Sequence, residues 1–333
     1  MIEKNAYLPI TGTFVSCLGG DTGINNWGLE EWERDFRLCQ LLGIDTVVII
    51  CCERESGGIC LSGLDPRSAS WPEDPNLLAM FFRLADKYGL KLYLGGTENL
   101  DNLYKGYWKR EVECNRVFYE RMLEMFGHHR CFHGLYLSLE ALPWHFNFCD
   151  IAIGTAHAAR KLCPDKKILF SPTLYGLTGY MNGHYPIKDF EKIYGEMLGG
   201  MSGALDYCAW QDKYFLPACE MGQINPTSLP DWYQTAKKIT EAAGVEFWAN
   251  IESFQRGSLM PEKREFRQID YRCLAAKMQA AKNAGAKKAI TFEFSTCMDP
   301  NAEWGSSAYL LQRYMEMTGI SPDIRKKIAN GDI

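Results

Sequence analysis

Glu140 ends the run Gly134-Leu135-Tyr136-Leu137-Ser138-Leu139-Glu140, and Glu252 ends Trp248-Ala249-Asn250-Ile251-Glu252. Both runs are largely apolar and read as strands, in which successive side chains point to opposite faces. Tyr136, Ser138 and Glu140 therefore share one face, as do Trp248, Asn250 and Glu252. A carboxylate at the end of a packed strand is held rigidly. Two of them facing one space can divide a bond cleavage, one protonating a leaving oxygen and the other attacking or stabilising the carbon it leaves. That division of labour is the chemistry of glycosidic bonds. Either glutamate alone could simply cap a helix N-terminus or pair with an arginine at a rim. Two together, both inward by the same alternation, point to chemistry.

Other polar residues gather at comparable strand ends. Gln211 and Asp212 close the run Leu205–Gln211, Glu98 follows Lys91–Gly95, Glu53 follows Thr46–Cys51, and Tyr175 lies just past Lys167–Ser171. Carboxylates, amides and hydroxyls interleaved with flat rings suit a polyol ligand. Trp144, Trp210 and Trp304 are candidate stacking faces. Glu293, near the end of strand eight between Phe292 and Phe294, is a further candidate to bind the sugar, with a hydrogen-bonding support behind the site as its alternative. The leading reading is a glycoside hydrolase, probed first at Glu140 and Glu252, with no metal and no cofactor. A metal-dependent sugar isomerase or epimerase would instead use Glu140, Asp212, His184 and Glu252 as ligands. It is short of histidines, because of the six in the chain only His145 and His184 fall in loops on the right side. A third reading is a non-catalytic carbohydrate-binding barrel whose glutamates hydrogen-bond hydroxyls. A Schiff base is disfavoured, since Lys213 lies beyond Gln211-Asp212 rather than within a strand.

The elements that would position these residues recur along the chain. Four times an amphipathic run ends in Gly and turns directly into a strand, at Gly43, Gly89, Gly244 and Gly285. Glycine suits the left-handed residue that ends a helix. Such joints read as βα units around a parallel sheet. The spacing predicts eight strands: Ile10–Val15, Thr46–Cys51, Lys91–Gly95, Gly134–Leu139, Lys167–Ser171, Leu205–Gln211, Glu246–Ile251 and Lys288–Phe294. Helices are expected from near Leu29, Pro75, Gly106, Asn147, Ile187, Ser228, Phe266 and Ser306. Eight units match a (β/α)8 TIM barrel, an α/β fold, as one domain over 1–333 with a short tail from about residue 321. A doubly wound nucleotide-binding sheet would need a glycine-rich phosphate loop, and no G-x-G-x-x-G follows the first strand. In a barrel the strand ends that carry Glu140 and Glu252 form the active face.

Composition limits the partners. The 333 residues are 47% hydrophobic and 23% charged, enough for a sizeable core. The net charge of −5 argues against a nucleic-acid or membrane-surface partner, leaving a carbohydrate as the expected one and a homo-oligomer compatible with it. No apolar run reaches the roughly 18 residues of a membrane span. The 13 cysteines contain no C-x-x-C and read as small buried hydrophobes, so with no leader legible in Met1-Ile2-Glu3-Lys4-Asn5 the expected compartment is the cytoplasm.

Ile10-Thr11-Gly12-Thr13-Phe14, Asn26-Trp27-Gly28, Glu31-Trp32, Asp35-Phe36 and Gly43-Ile44-Asp45-Thr46-Val47 carry a resemblance, as do Asp206-Tyr207, Gln211-Asp212 and Trp248–Phe254. The chain resembles a bacterial glycoside-hydrolase-like barrel family, catalogued as domain of unknown function 4434. The glutamates of strands four and seven also resemble the arrangement in the retaining glycosidase clan A. That resemblance implies Glu140 as acid/base and Glu252 as nucleophile. The clan usually places Asn immediately before the strand-four acid, where this chain has Leu139. The contact that Asn makes with the sugar 2-hydroxyl must then come from another residue.

Overall fold

The computed structural model describes residues 6–16, 24, 27–54, 59–60, 77–139, 147–174, 187–212, 229–256, 266–302 and 305–332. Eight strands form a closed parallel barrel: β1 (Ile10–Val15), β2 (Thr46–Ile49), β3 (Lys91–Gly95), β4 (Phe132–Leu137), β5 (Lys167–Phe170), β6 (Tyr207–Gln211), β7 (Glu246–Asn250) and β8 (Ala289–Thr291). Each strand pairs with its sequence neighbours, and β8 returns to β1 through Thr13 and Thr291. The helices α1 (Leu29–Leu42), α2 (Leu77–Tyr88), α3 (Leu100–Tyr104), α4 (Trp108–Phe126), α5 (Phe148–Leu162), α6 (Ile187–Gly200), α7 (Leu229–Ala242) and α8 (Tyr271–Ala284) lie between strands. α9 (Phe294–Cys297), α10 (Ser307–Thr318) and α11 (Pro322–Ala329) follow β8. Among the described residues no helix is long and apolar enough to cross a membrane.

The four expected joints are the helix ends. Gly43 and Gly285 sit at φ 79° and 85°, and each turns its N–H back onto the last carbonyls of its helix. Gly89 and Gly244 share the left-handed conformation. Two expectations change. Phe266–Gln268 is not the start of a helix but a short strand paired antiparallel with Phe254–Arg256. α8 begins only at Tyr271, where the Asp270 carboxylate accepts the Arg272 N–H at 2.8 Å and so caps the first turn. The expected tail holds α11, started by the Ser321 hydroxyl accepting from Ile324 N–H and by Pro322 in the first turn.

Alternation divides the barrel into two cores. Phe14, Val48, Tyr93, Tyr136, Leu169, Ala209, Trp248 and Ile290, one from each strand, pack together inside. Below them Tyr207 stacks on Trp248 at 4.3 Å, and Asp45 bonds Lys91 and Lys288. Their outward neighbours pack under the helices, and Trp210 is one of them. It is fully buried, 5.1 Å from the rings of Phe190 and Tyr194 on α6, with its indole N–H donated to Thr240 Oγ1 of α7 at 2.9 Å. Trp210 is therefore a core residue and not a stacking face for ligand. Since Gln211 points inward, its neighbour must point out. Trp210→Ala is expected to lower the unfolding free energy by roughly 3–5 kcal/mol in urea denaturation, as for other buried tryptophans. A loss under about 1 kcal/mol would mean the indole is not packed this way.

Candidate active site

Two residues further along the strands from the inner core layer, the side chains turn polar. Ser16, Ser138, Gln211 and Asn250, with Ile50 and Phe292, occupy this level and line a cavity of about 110 Å³ at the carboxyl ends of the strands. Phe14 and Tyr136 form its floor, Glu98, Cys51 and Phe254 complete its described wall, and Glu252 opens onto it from the end of β7. Glu252, Asn250, Gln211 and Glu98 are all buried. The described wall is thus half apolar and half hydrogen-bonding, a lining suited to a small polar ligand.

Hydrogen bonds fix the polar side. Asn250 Nδ2 donates to Ser171 Oγ at 3.1 Å, and that hydroxyl donates to Ala209 O at 2.6 Å. Gln211 Nε2 donates to Ser171 O at 2.7 Å, and its Oε1 accepts from Thr173 Oγ1 at 3.2 Å. Asn250 Oδ1 is a buried acceptor with no hydrogen-bond partner among the described residues. Across the cavity Ser138 Oγ accepts the Gly96 N–H at 2.7 Å and donates to Ile50 O, stitching β2, β3 and β4 together.

Behind Glu252 lies a buried ion pair. Asp212 Oδ1 accepts the Glu252 N–H at 3.1 Å and bonds Lys277 Nζ at 3.0 Å, and the same ammonium donates to Glu252 O at 3.1 Å. Burial raises the Asp212 carboxyl above its ordinary value, while the charge of Lys277 and its hydrogen bond pull it back down. Asp212 was expected to touch substrate. Its side chain is fully buried against α7 and α8 instead, facing away from the cavity that its neighbour Gln211 lines. Glu293 is also fully buried, accepting the Ser16 N–H at 2.8 Å and the Thr296 hydroxyl. It braces the cavity wall through Ser16 rather than lining it. Burial pushes its carboxyl up to about 7, against the pull of those two hydrogen bonds.

Glu140, Tyr175, Trp144, Trp304 and His184 lie outside the described residues, as does the side chain of Glu53. The structure therefore brings together Glu252, Asn250, Gln211 and Glu98 from the expected set. Lys277 was not anticipated, although its place in the stripe Leu274, Lys277, Met278, Ala281 marks a lysine on the buried face of α8. Ser171 and Ser16 carried no signal beyond strand position. At the opposite end of the barrel, Asp86, His129 and Cys131 bring their donor atoms within 4.8 Å of one another. The carboxylate there is taken up by His129 Nδ1 at 2.6 Å and the Cys131 N–H at 2.8 Å, so the cluster ties α2 to the entry of β4.

The sequence profile described as Domain of unknown function (DUF4434) matches residues 10–304. None of the curated proteins matches the chain. A crystal structure from Bacteroides thetaiotaomicron, assigned provisionally as an alpha-L-fucosidase, is 29% identical over 96% of both chains, with a TM-score of 0.84. An endo-1,4-beta-D-mannanase from Thermotoga petrophila superposes with a TM-score of 0.53 at 12% identity over 86% of this chain and 88% of its own. A family 1 beta-glucosidase from Thermotoga maritima does so with 0.52 at 14% identity, over 87% and 88%. The last two share the barrel alone; all three carry names of glycoside hydrolases.

The buried Glu293 has a consequence for pH. The unfolded chain loses this proton near the ordinary value of 4.5, whereas the folded protein keeps it to about 7. The stabilisation is complete below the unfolded value and is lost as pH rises through the folded one. Glu293→Gln, which cannot titrate, should gain on the wild type by roughly 2–4 kcal/mol between about pH 4.5 and 8. Urea denaturation at several pH values reads this directly, and a constant difference would contradict a raised carboxyl.

Proposed function

The chain belongs to the family described as domain of unknown function DUF4434, and from its site we propose that it is a retaining glycosidase with Glu252 as nucleophile and Glu140 as acid/base. The observation that carries this is a buried carboxylate, held at the end of a barrel strand, on the wall of a cavity with mixed polar and apolar lining. In the first step the Glu252 carboxylate attacks the anomeric carbon while Glu140 gives its proton to the departing glycosidic oxygen. In the second, Glu140 takes a proton from water, which attacks the same carbon and releases Glu252. Asn250 replaces the missing asparagine before Glu140. Its Oδ1, a buried acceptor with no partner among the described residues, is one that a sugar hydroxyl would satisfy, and an acceptor left dry would be costly.

The substrate class to test first is an α-L-fucoside, supported by the 29% identical structure's name and by the apolar part of the cavity, where Phe14, Ile50, Phe254 and Phe292 could meet a methyl-bearing sugar. The isomerase reading needs Asp212 as a ligand, and Lys277 and the Glu252 N–H already occupy that carboxylate. Buried thiols such as Cys39, Cys208 and Cys297 support a reducing compartment for the enzyme.

Glu252→Gln and Glu140→Gln are each expected to lower kcat on a nitrophenyl glycoside by about 10²–10⁴-fold or more while leaving thermal unfolding within a few degrees. Nuclear magnetic resonance of the first-formed sugar should show the anomer of the substrate. Full activity in either variant, inversion, or sugar binding by the wild type without turnover on any glycoside would contradict the proposal.

A further inference from the structure

The hydrogen-bond ladder between β6 and β7 changes character at the residue that matters. Its last backbone bond among the described residues runs from Asp212 N–H to Asn250 O at 3.1 Å. On the other side of β7, Ile251 and Ser253 give their N–H groups to Ile290 O and Phe292 O at 2.8 and 2.9 Å. Glu252 thus turns its own peptide groups toward β6, and there side chains receive them. Asp212 Oδ1 takes the N–H and Lys277 Nζ holds the carbonyl, each at 3.1 Å, while the two charges lie 3.0 Å apart. Lys277 reaches in from α8, and the Tyr233 hydroxyl of α7 approaches Asp212 Oδ2 at 3.5 Å. Both charged side chains are shut away from water, at 2% and 0% exposure.

We propose that Asp212 and Lys277 form a positioning pair that sets the attack angle of Glu252 by clamping its peptide on both sides. The proposal rests on the reading of Glu252 as nucleophile. A carboxylate on one Cβ and one Cγ can aim no better than its backbone is fixed, and a 1 Å misplacement can cost about 10²-fold in rate. The pair carries no net charge, so it leaves the charge of the site unchanged and acts through geometry. A pair kept only for stability would behave differently, because a buried ion pair can often be exchanged for neutral groups of similar shape without loss of stability.

The test compares Lys277→Met, Asp212→Asn and the double variant with the wild type on the nitrophenyl glycoside that the wild type cleaves fastest. The double variant keeps an amide oxygen for the Glu252 N–H and buries no lone charge, but it loses the Lys277 hydrogen bond to the Glu252 carbonyl. Its thermal unfolding should return to within a few degrees of wild type, while kcat stays down by about 10²-fold and KM moves by less than about three-fold. Among the single variants, Asp212→Asn keeps both grips on the peptide and should retain more kcat than Lys277→Met, an order that holds the test open if the double variant does not fold. A double variant with wild-type kcat, or Lys277→Met as active as Asp212→Asn, overturns the pair's role alone. A wild type inactive on every glycoside overturns the reading of Glu252 first, and the proposal with it.

Discussion

Closing eight parallel strands into a barrel leaves each residue of a strand two directions, in or out, and the site depends on that restriction. One inward residue from every strand, from Phe14 to Ile290, fills the interior and makes a solid floor. The next inward level cannot be filled with large apolar groups on all sides, because it meets the loops and solvent at the mouth. Here it carries serines, Gln211 and Asn250 beside Ile50 and Phe292. Glu252 follows Asn250 by one more step of the same period. The cavity is what remains when the barrel stops being packed.

A carboxylate placed there is useful only if it stays put. The strand supplies part of the rigidity through the bonds of Ile251 and Ser253 toward β8, and Asp212 and Lys277 add hydrogen bonds to the Glu252 peptide from its other side. Hydrogen bonds through Ser171 hold Asn250 and Gln211 in the same way, one serine serving two side chains. Charge is thereby kept neutral behind the site while a carboxylate faces the space in front. Glu293, buried and raised toward neutrality, braces the β1 side through Ser16 without adding to that charge while it keeps its proton.

The parts of this design that repeat were legible in the chain. Glycine at a helix end has a backbone reason, and all four joints it marked are left-handed turns in the structure. Alternation likewise placed Asn250 and Glu252 inward. The same rule, carried one residue further along β6, separates Gln211 from Trp210 and Asp212, which belong to the outer layer. Their place at a strand end, together with residue types common in sugar sites, invited the opposite reading. Lys277 comes from a helix 25 residues beyond Glu252, and a single sequence does not show which helix faces which strand end. The hairpin of Phe254–Arg256 and Phe266–Gln268 is too short to express a period, so only the Asp270 cap tells where α8 starts.

The central claim is that Glu252 forms a covalent bond to the sugar. Incubation with an activated 2-deoxy-2-fluoro glycoside slows release of the glycosyl group more than its capture, so a nucleophile of this kind accumulates label. Mass spectrometry of the digested protein should find one fluoroglycosyl group, on the peptide carrying Glu252, in step with loss of activity. Label on another residue, or inactivation with none on Glu252, would contradict the account.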